Sequence, residues 1–169
     1  MKILIDIGHP AHVHLFKNLV KNLEHKGHFV LVTVKDIPSA KRLLSLYSIP
    51  FIELGKKSDN IRGKLIKQFK YDWLLYRIVK KNKIGFGIGT SITIAHVSKI
   101  SKMRSIVLDD DDSAVQPLMA KFGHPFADNV LSPDVLSFEN KKNAIYYPGY
   151  HELAYLHPNR FTPDPSVLS

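Results

Sequence analysis

The sequence predicts an α/β protein of the Rossmann-like, doubly wound kind, a mostly parallel sheet with helices on both faces. Three observations carry that reading. Short β-branched or apolar runs alternate with helical patterns along most of the chain. Helical segments of ten residues or more separate many of the strands, as crossovers between parallel strands require. Polar groups and glycines gather just after the strands, at the carboxyl edge where open α/β sheets bind ligands.

Taken in order, residues 2–7 form the first strand, a β-branched run ending in Gly8-His9-Pro10. A helix follows at once over 11–26, with Leu15, Phe16, Leu19, Val20 and Leu23 on one face and Gly27 closing it. Residues 28–34 read as the second strand, 39–47 as a short helix after Pro38, and 51–54 as a third strand behind Ile49-Pro50. A long helix covers 60–82, where Ile61, Leu65, Phe69, Trp73 and Tyr76 step by three or four and mark an apolar stripe. Strand four, 84–88, is punctuated by glycine, and Thr90 or Ser91 caps a helix running to 102. Residues 105–108 are strand five and 113–122 another helix, and a last short strand ends at Val130-Leu131. The Rossmann-like domain is thus expected over 1–149. Residues 150–169, with Pro158, Pro163 and Pro165, read as an interdomain linker or tail, with a C-terminal domain absent from this chain.

Composition narrows the class. At 169 residues, with 44% hydrophobic and 23% charged residues, the chain suits one globular domain. No apolar run reaches the ~18 residues of a membrane span, and the first residues lack the pattern of a signal peptide. The absence of cysteine excludes disulfides, thiolate zinc sites and cysteine nucleophiles. A cytoplasmic location is the expectation. The formal charge of +9 is uneven: from Lys56 to Lys83 ten basic residues face only Asp59 and Asp72, and the rest is close to neutral. An apolar stripe on a cationic helix resembles an interfacial helix on an anionic membrane, so Arg62, Lys64, Lys67, Lys70 and Arg77 are expected to face the inner membrane surface. Nucleic acid is not expected, because neither a helix-turn-helix pattern nor an aromatic RNA-binding signature is present.

Three clusters can carry chemistry. His9 and His12 fall at the first turn of the first helix, beside its free N–H groups, where an imidazole can bond a phosphate or sugar hydroxyl or act as a general base. The alternative is that Pro10 and His12 only shape the turn with Gly8. The spacing of His9, His12 and His14 does not make a metal site, since zinc sites favour i, i+4 pairs with further ligands. Gly89, Thr90 and Ser91 stand at a strand–helix junction where a ligand can approach the backbone, though the glycine spacing is neither a dinucleotide fingerprint nor a P-loop. Asp109 and Asp110 begin a run of four carboxylates after strand five. These can serve a cleft shared with His9, or they can cap the next helix through Asp112. Magnesium at the acidic run is an alternative that no second acidic cluster supports, and no cofactor is called for.

The stretches IDIGHPAHVHLFKNL, VLDDDDSAVQPLMAKFGHPFAD with the LSP after it, and YPGYHELAYLHPNRFTPD resemble the family catalogued as domain of unknown function 354. Its members look like two-domain glycosyltransferases of the GT-B type and are similar to UDP-N-acetylglucosamine 2-epimerases. The resemblance covers essentially the whole chain and implies that it is the N-terminal half of a protein about twice as long. In that architecture the C-terminal domain holds most of the nucleotide-sugar site, the N-terminal domain presents the acceptor, and chemistry occurs between them. The expected function is therefore the acceptor-side domain of a glycosyltransferase-type protein acting on cell-envelope or capsular glycan precursors. Its substrates would be a nucleotide sugar and a glycan or lipid-linked acceptor. A nucleotide-sugar epimerase or hydrolase, and a non-catalytic truncated or split domain, are the alternatives. His9, His12, Asp109 and Asp110 are the expected catalytic residues, with Gly8, Gly89, Thr90 and Ser91 contacting substrate. The family often carries Glu in the acidic motif where this chain continues with Asp.

Overall fold

The computed structural model describes residues 1–56 and 61–168; for 56, 61–65, 67, 167 and 168 the description covers the backbone only. Seven strands, β1 (Lys2–Ile7), β2 (Phe29–Asp36), β3 (Phe51–Lys56), β4 (Phe86–Gly89), β5 (Arg104–Leu108), β6 (Asn129–Pro133) and β7 (Ala144–Tyr147), form one sheet in the order β3-β2-β1-β4-β5-β6-β7. Every neighbouring pair is parallel. The chain winds outward from β1 to β3, then crosses to the other side of β1. The boundary between β1 and β4 is therefore the point where strand order reverses, and there the loops at the carboxyl edge diverge to leave a crevice.

β1 shows why the sheet is covered on both faces. Ile3, Ile5 and Ile7 pack with Val13, Phe16 and Val20 of α1 (Pro10–His25) and Leu44 of α2 (Pro38–Leu46). Leu4, pointing the other way, joins Leu75 and Val79 of α3 (Ile61–Asn82), Ile94 and Val97 of α4 (Ile92–Ile100) and Met119 of α5 (Pro117–Phe122). A strand buried on both sides needs an unbroken apolar run, which 3–7 supplies apart from Asp6. The glycines of β4 serve close packing: a Cβ on Gly87 would come within 2.6 Å of the Met103 side chain.

Three elements differ from expectation. The helix expected from 113 begins only at Pro117, because Asp112 accepts a hydrogen bond from the Ala114 amide at 2.6 Å and closes a turn instead of capping a helix. β7 was not expected; it is four residues long, edge-placed and half-buried, so its sequence lacks a continuous apolar run. Within the expected tail, α6 (Leu153–Leu156) returns to α1, where Asn18 Nδ2 donates to the Ala154 carbonyl at 3.0 Å.

The long helix is rotated from its expected setting. Its buried row is Tyr71, Leu75 and Val79, while Phe69 and Trp73 of the expected stripe are 75% and 55% exposed. The reason is polar as well as apolar. Gln68 Nε2 donates to Asp72 Oδ1 (2.7 Å) and Thr93 Oγ1 (3.0 Å), and Asp72 Oδ2 accepts from His96 Nδ1 at 2.8 Å. The other nitrogen of His96 donates to the Phe122 carbonyl at 2.9 Å. Both nitrogens can donate only in the imidazolium, and Asp72 foremost raises the His96 pKa above 6.5. That network turns residues 68 and 72 inward and their neighbours outward. Among the expected membrane-facing side chains, Lys70 and Arg77 are exposed, whereas Arg62, Lys64 and Lys67 lie outside the described residues, as do the side chains of Ile61 and Leu65. No described helix is long and apolar enough to cross a membrane.

Leu75→Ala, which empties a fully buried site, is expected to cost about 2–5 kcal/mol in urea unfolding. Phe69→Ala is expected to change stability by no more than about 0.5 kcal/mol. A reversal of that order would contradict the helix setting.

Candidate functional site

Gly8, His9, His12, Thr90, Asp109 and Asp110 line one cavity of about 390 Å³ at the carboxyl edge of the sheet, across the β1–β4 boundary. Leu15, Leu108 and Met119 give it apolar walls, and His151, Glu152 and Tyr155 close it from the C-terminal segment. Gly89 and Ser91 do not line it. A Cβ at Gly89 would press on the Asp6 backbone oxygen at 3.1 Å, so this glycine serves the approach of β4 to β1. The Ser91 hydroxyl is buried and donates to Asp6 Oδ2 at 2.6 Å, while Thr33 donates to Asp6 Oδ1 at 2.8 Å. The fully buried Asp6 carboxylate thus ties β1, β2 and the start of α4 beneath the site.

The histidines hold different positions. His9 is the exposed N-cap of α1, with extended backbone (φ −154°, ψ 153°) and its Nδ1 accepting from the Ala11 amide at 3.3 Å. His12, one turn in, is largely covered. Its Nδ1 accepts from the Gly8 amide at 3.3 Å, which leaves the proton on Nε2, and the Thr90 hydroxyl lies 2.8 Å from Nδ1. Burial foremost, then the neighbouring His9, lowers its pKa from 6.5 to about 4. At neutral pH His12 is therefore an uncharged donor and acceptor, as suits an imidazole near a helix N-terminus. His14 faces elsewhere, with its Nδ1 3.1 Å from the Tyr47 hydroxyl.

The acidic run divides its labour. Asp109 is buried, and its Oδ2 meets Lys141 Nζ at 2.9 Å and His124 Nε2 at 2.8 Å, the latter off the line of a hydrogen bond. Burial pushes the Asp109 carboxyl up, and the His124 and Lys141 contacts outweigh it, holding the group below 3.8. Lys141 also donates to the Asp111 carbonyl (2.8 Å) and to Ser132 Oγ (3.3 Å), which fixes the loop after β5. Asp110, more open, faces His151 Nδ1 at 3.0 Å and is lowered chiefly by that contact. The buried His151 Nε2 has no hydrogen-bond partner among the described residues. The His151 ring stacks on Tyr147 (6.0 Å, 11°), whose hydroxyl is pushed up to about 12, mainly by burial. Carboxylate oxygens of Asp109, Asp110 and Asp111 lie within 4.8 Å of one another, but Lys141, His124 and His151 already face two of the three.

Sequence reasoning missed Lys141, His124 and His151. One signal was present: Gly123-His124-Pro125 repeats the Gly8-His9-Pro10 triplet. Lys141 gave none, because a lysine in a polar loop does not reveal that its ammonium reaches a carboxylate 32 positions away.

Lys141→Met leaves Asp109 buried without its counter-charge and is expected to cost about 3–5 kcal/mol in urea unfolding, most of it recovered in the Asp109→Leu/Lys141→Met double variant. A pH titration of labelled imidazoles should keep His12 neutral down to about pH 4; a midpoint near 6.5 would contradict its burial. Because its folded value is depressed, the unfolded chain takes up the proton first. Its contribution is full above about pH 6.5 and declines as pH falls toward 4.

The fold is shared with several solved proteins. It superposes on the UDP-GlcNAc 2-epimerase of Neisseria meningitidis bound to UDP-GlcNAc, with TM-score 0.72 and 13% identity over 93% of this chain and 49% of that one. The UDP-GlcNAc 2-epimerase of Methanocaldococcus jannaschii gives 0.70 and 11% over 92% and 48%. MurG of Acinetobacter baumannii gives 0.61 and 16% over 89% and 46%. In sequence the chain is 24% identical to an uncharacterized protein of Methanocaldococcus jannaschii, over 91% of this chain and 46% of that protein. The chain thus spans about half the length of the relatives it matches. Residues 1–158 match the family model described as "Protein of unknown function (DUF354)", and the chain belongs to that family.

Proposed function

We propose that this chain is the acceptor-side half of a GT-B-like, nucleotide-sugar-dependent enzyme that transfers a sugar to a cell-envelope or capsular glycan precursor. The cavity at the β1–β4 boundary carries the reading, because it gathers a neutral His12, the Asp110–His151 pair and apolar walls where strand order reverses. Residues 150–169 would lead to a second domain that completes the cleft, in keeping with the half-length match to the relatives.

In this reading the acceptor hydroxyl attacks the anomeric carbon, the bond from that carbon to the nucleoside diphosphate breaks, and the hydroxyl proton passes to the more open Asp110 carboxylate. The His151 ring, facing the same carboxylate at 3.0 Å, holds it in place as the general base. His12, with a pKa of about 4, is a weak base and serves instead to bond a hydroxyl or phosphate oxygen. His9 stands at the open rim. Asp109 holds the loop in place and does not touch substrate.

A second reading, epimerisation or hydrolysis of the nucleotide sugar, is favoured by the likeness to the two 2-epimerases. Product analysis separates the two: a sugar moved to a glycan acceptor against an altered or hydrolysed nucleotide sugar. A non-catalytic split or truncated domain would give neither product even with its second half supplied.

The direct test is an NMR titration of this chain with short envelope-glycan oligosaccharides as acceptor analogues. Amide shifts are expected at Gly8, His12, Thr90 and residues 109–111, and Asp110→Asn and His151→Gln should each weaken binding about tenfold. Shifts confined to other parts of the sheet, or none at millimolar ligand, would count against the cleft.

A further inference from the structure

We infer that the outward face of α3 docks on an anionic lipid bilayer, with Ile66, Phe69 and Trp73 entering the interface and Lys70 and Arg77 meeting lipid phosphates. Ile66, Phe69 and Trp73 follow one another at three and four residues, which sets them in one row on the helix. They are 72%, 75% and 55% exposed. Exposed apolar side chains taken singly are ordinary, but three large ones in a row form a patch that calls for a partner.

The charge around that row selects the partner. Lys70 lies four residues after Ile66 and Arg77 four after Trp73, so each flanks the row, and both are exposed. The Arg77 guanidinium sits over the Trp73 ring, 4.7 Å from its centroid. Lys80 and Lys81 continue the positive charge into the last turn. The helix's acidic residue, Asp72, is turned inward to His96 and Gln68 and does not face the row. Hydrocarbon beneath a layer of phosphates satisfies an apolar aromatic row and its cationic border together. A second copy of this chain would set like charges against each other. The C-terminal helix α6 packs on α1, across the sheet from α3, and does not cover the face.

α3 follows β3, so its first turns stand at the carboxyl edge of the sheet, the edge that bears the cavity. Docking through this face would hold the cleft close to a membrane. The inference stands on α3 alone and is independent of what the cleft does.

Trp73 is the chain's single tryptophan, so intrinsic fluorescence reports directly on this face. The experiment combines Trp73 emission with flotation on vesicles of phosphatidylcholine, with and without phosphatidylglycerol, at low salt. The expected result is a blue shift and co-flotation with the anionic vesicles only, both weakened when added salt shortens the screening length. Phe69→Ser and the Lys70→Glu/Arg77→Glu pair should each lower partitioning by at least about tenfold. Circular dichroism checks that they fold. The control pair Lys26→Glu/Lys142→Glu makes the same charge change away from α3 and should retain binding. Four results would overturn the inference: equal retention on neutral vesicles, retention without an emission shift, equal loss in the control pair, or binding of single-stranded RNA with the vesicles ignored.

Discussion

A carboxylate withdrawn from water must be neutralised where it stands, and Asp109 imposes that requirement on the loops around the cleft. Its counter-charge, Lys141, lies just before β7, and its second neighbour, His124, follows α5, so neutralising one side chain ties together three stretches that are distant in sequence. The same lysine grips the Asp111 carbonyl, which sets the course of the chain between them and leaves Asp110 turned toward the cavity. The buried pair is costly to form and more costly to break, as expected of an ion pair whose value lies in fixing geometry. Asp6, which is fully buried, is held differently, by the two hydroxyl donors of Thr33 and Ser91.

The three imidazoles of the resulting site stand in different surroundings. His12 is covered and uncharged, His9 is exposed at the helix start, and His151 has a carboxylate on one nitrogen and, among the described residues, no hydrogen-bond partner on the other. The proposed division of roles, with Asp110 taking the proton, His151 holding that carboxylate and His12 bonding a substrate oxygen, draws on these surroundings.

The basic helix shows how a polar contact can redirect an apolar pattern. Two rows of large side chains compete to face the core on α3, and the Gln68–Asp72–His96–Phe122 network settles which row wins. Tyr71, Leu75 and Val79 go in and Ile66, Phe69 and Trp73 are left out, beside lysine and arginine. The surface created by that choice and the crevice at the β1–β4 boundary share an edge of the sheet.

The sequence by itself determined the parallel α/β architecture, because apolar runs separated by helix-length crossovers admit few other solutions. It also placed His9, His12, Thr90, Asp109 and Asp110 near one edge, since the ends of parallel strands lie together whatever the loops do. What it could not decide was which of these groups face the cavity and which are engaged beneath it. Ser91 is turned to Asp6 and Asp109 to Lys141, while His151 arrives from beyond the expected domain boundary. Periodicity likewise placed the helix at 60–82 but not its rotation, which depends on partners in α4 and after α5. Local pattern reports which elements form and in what order; the pairing of buried charges and the facing of helices are long-range choices, made only when the layers pack.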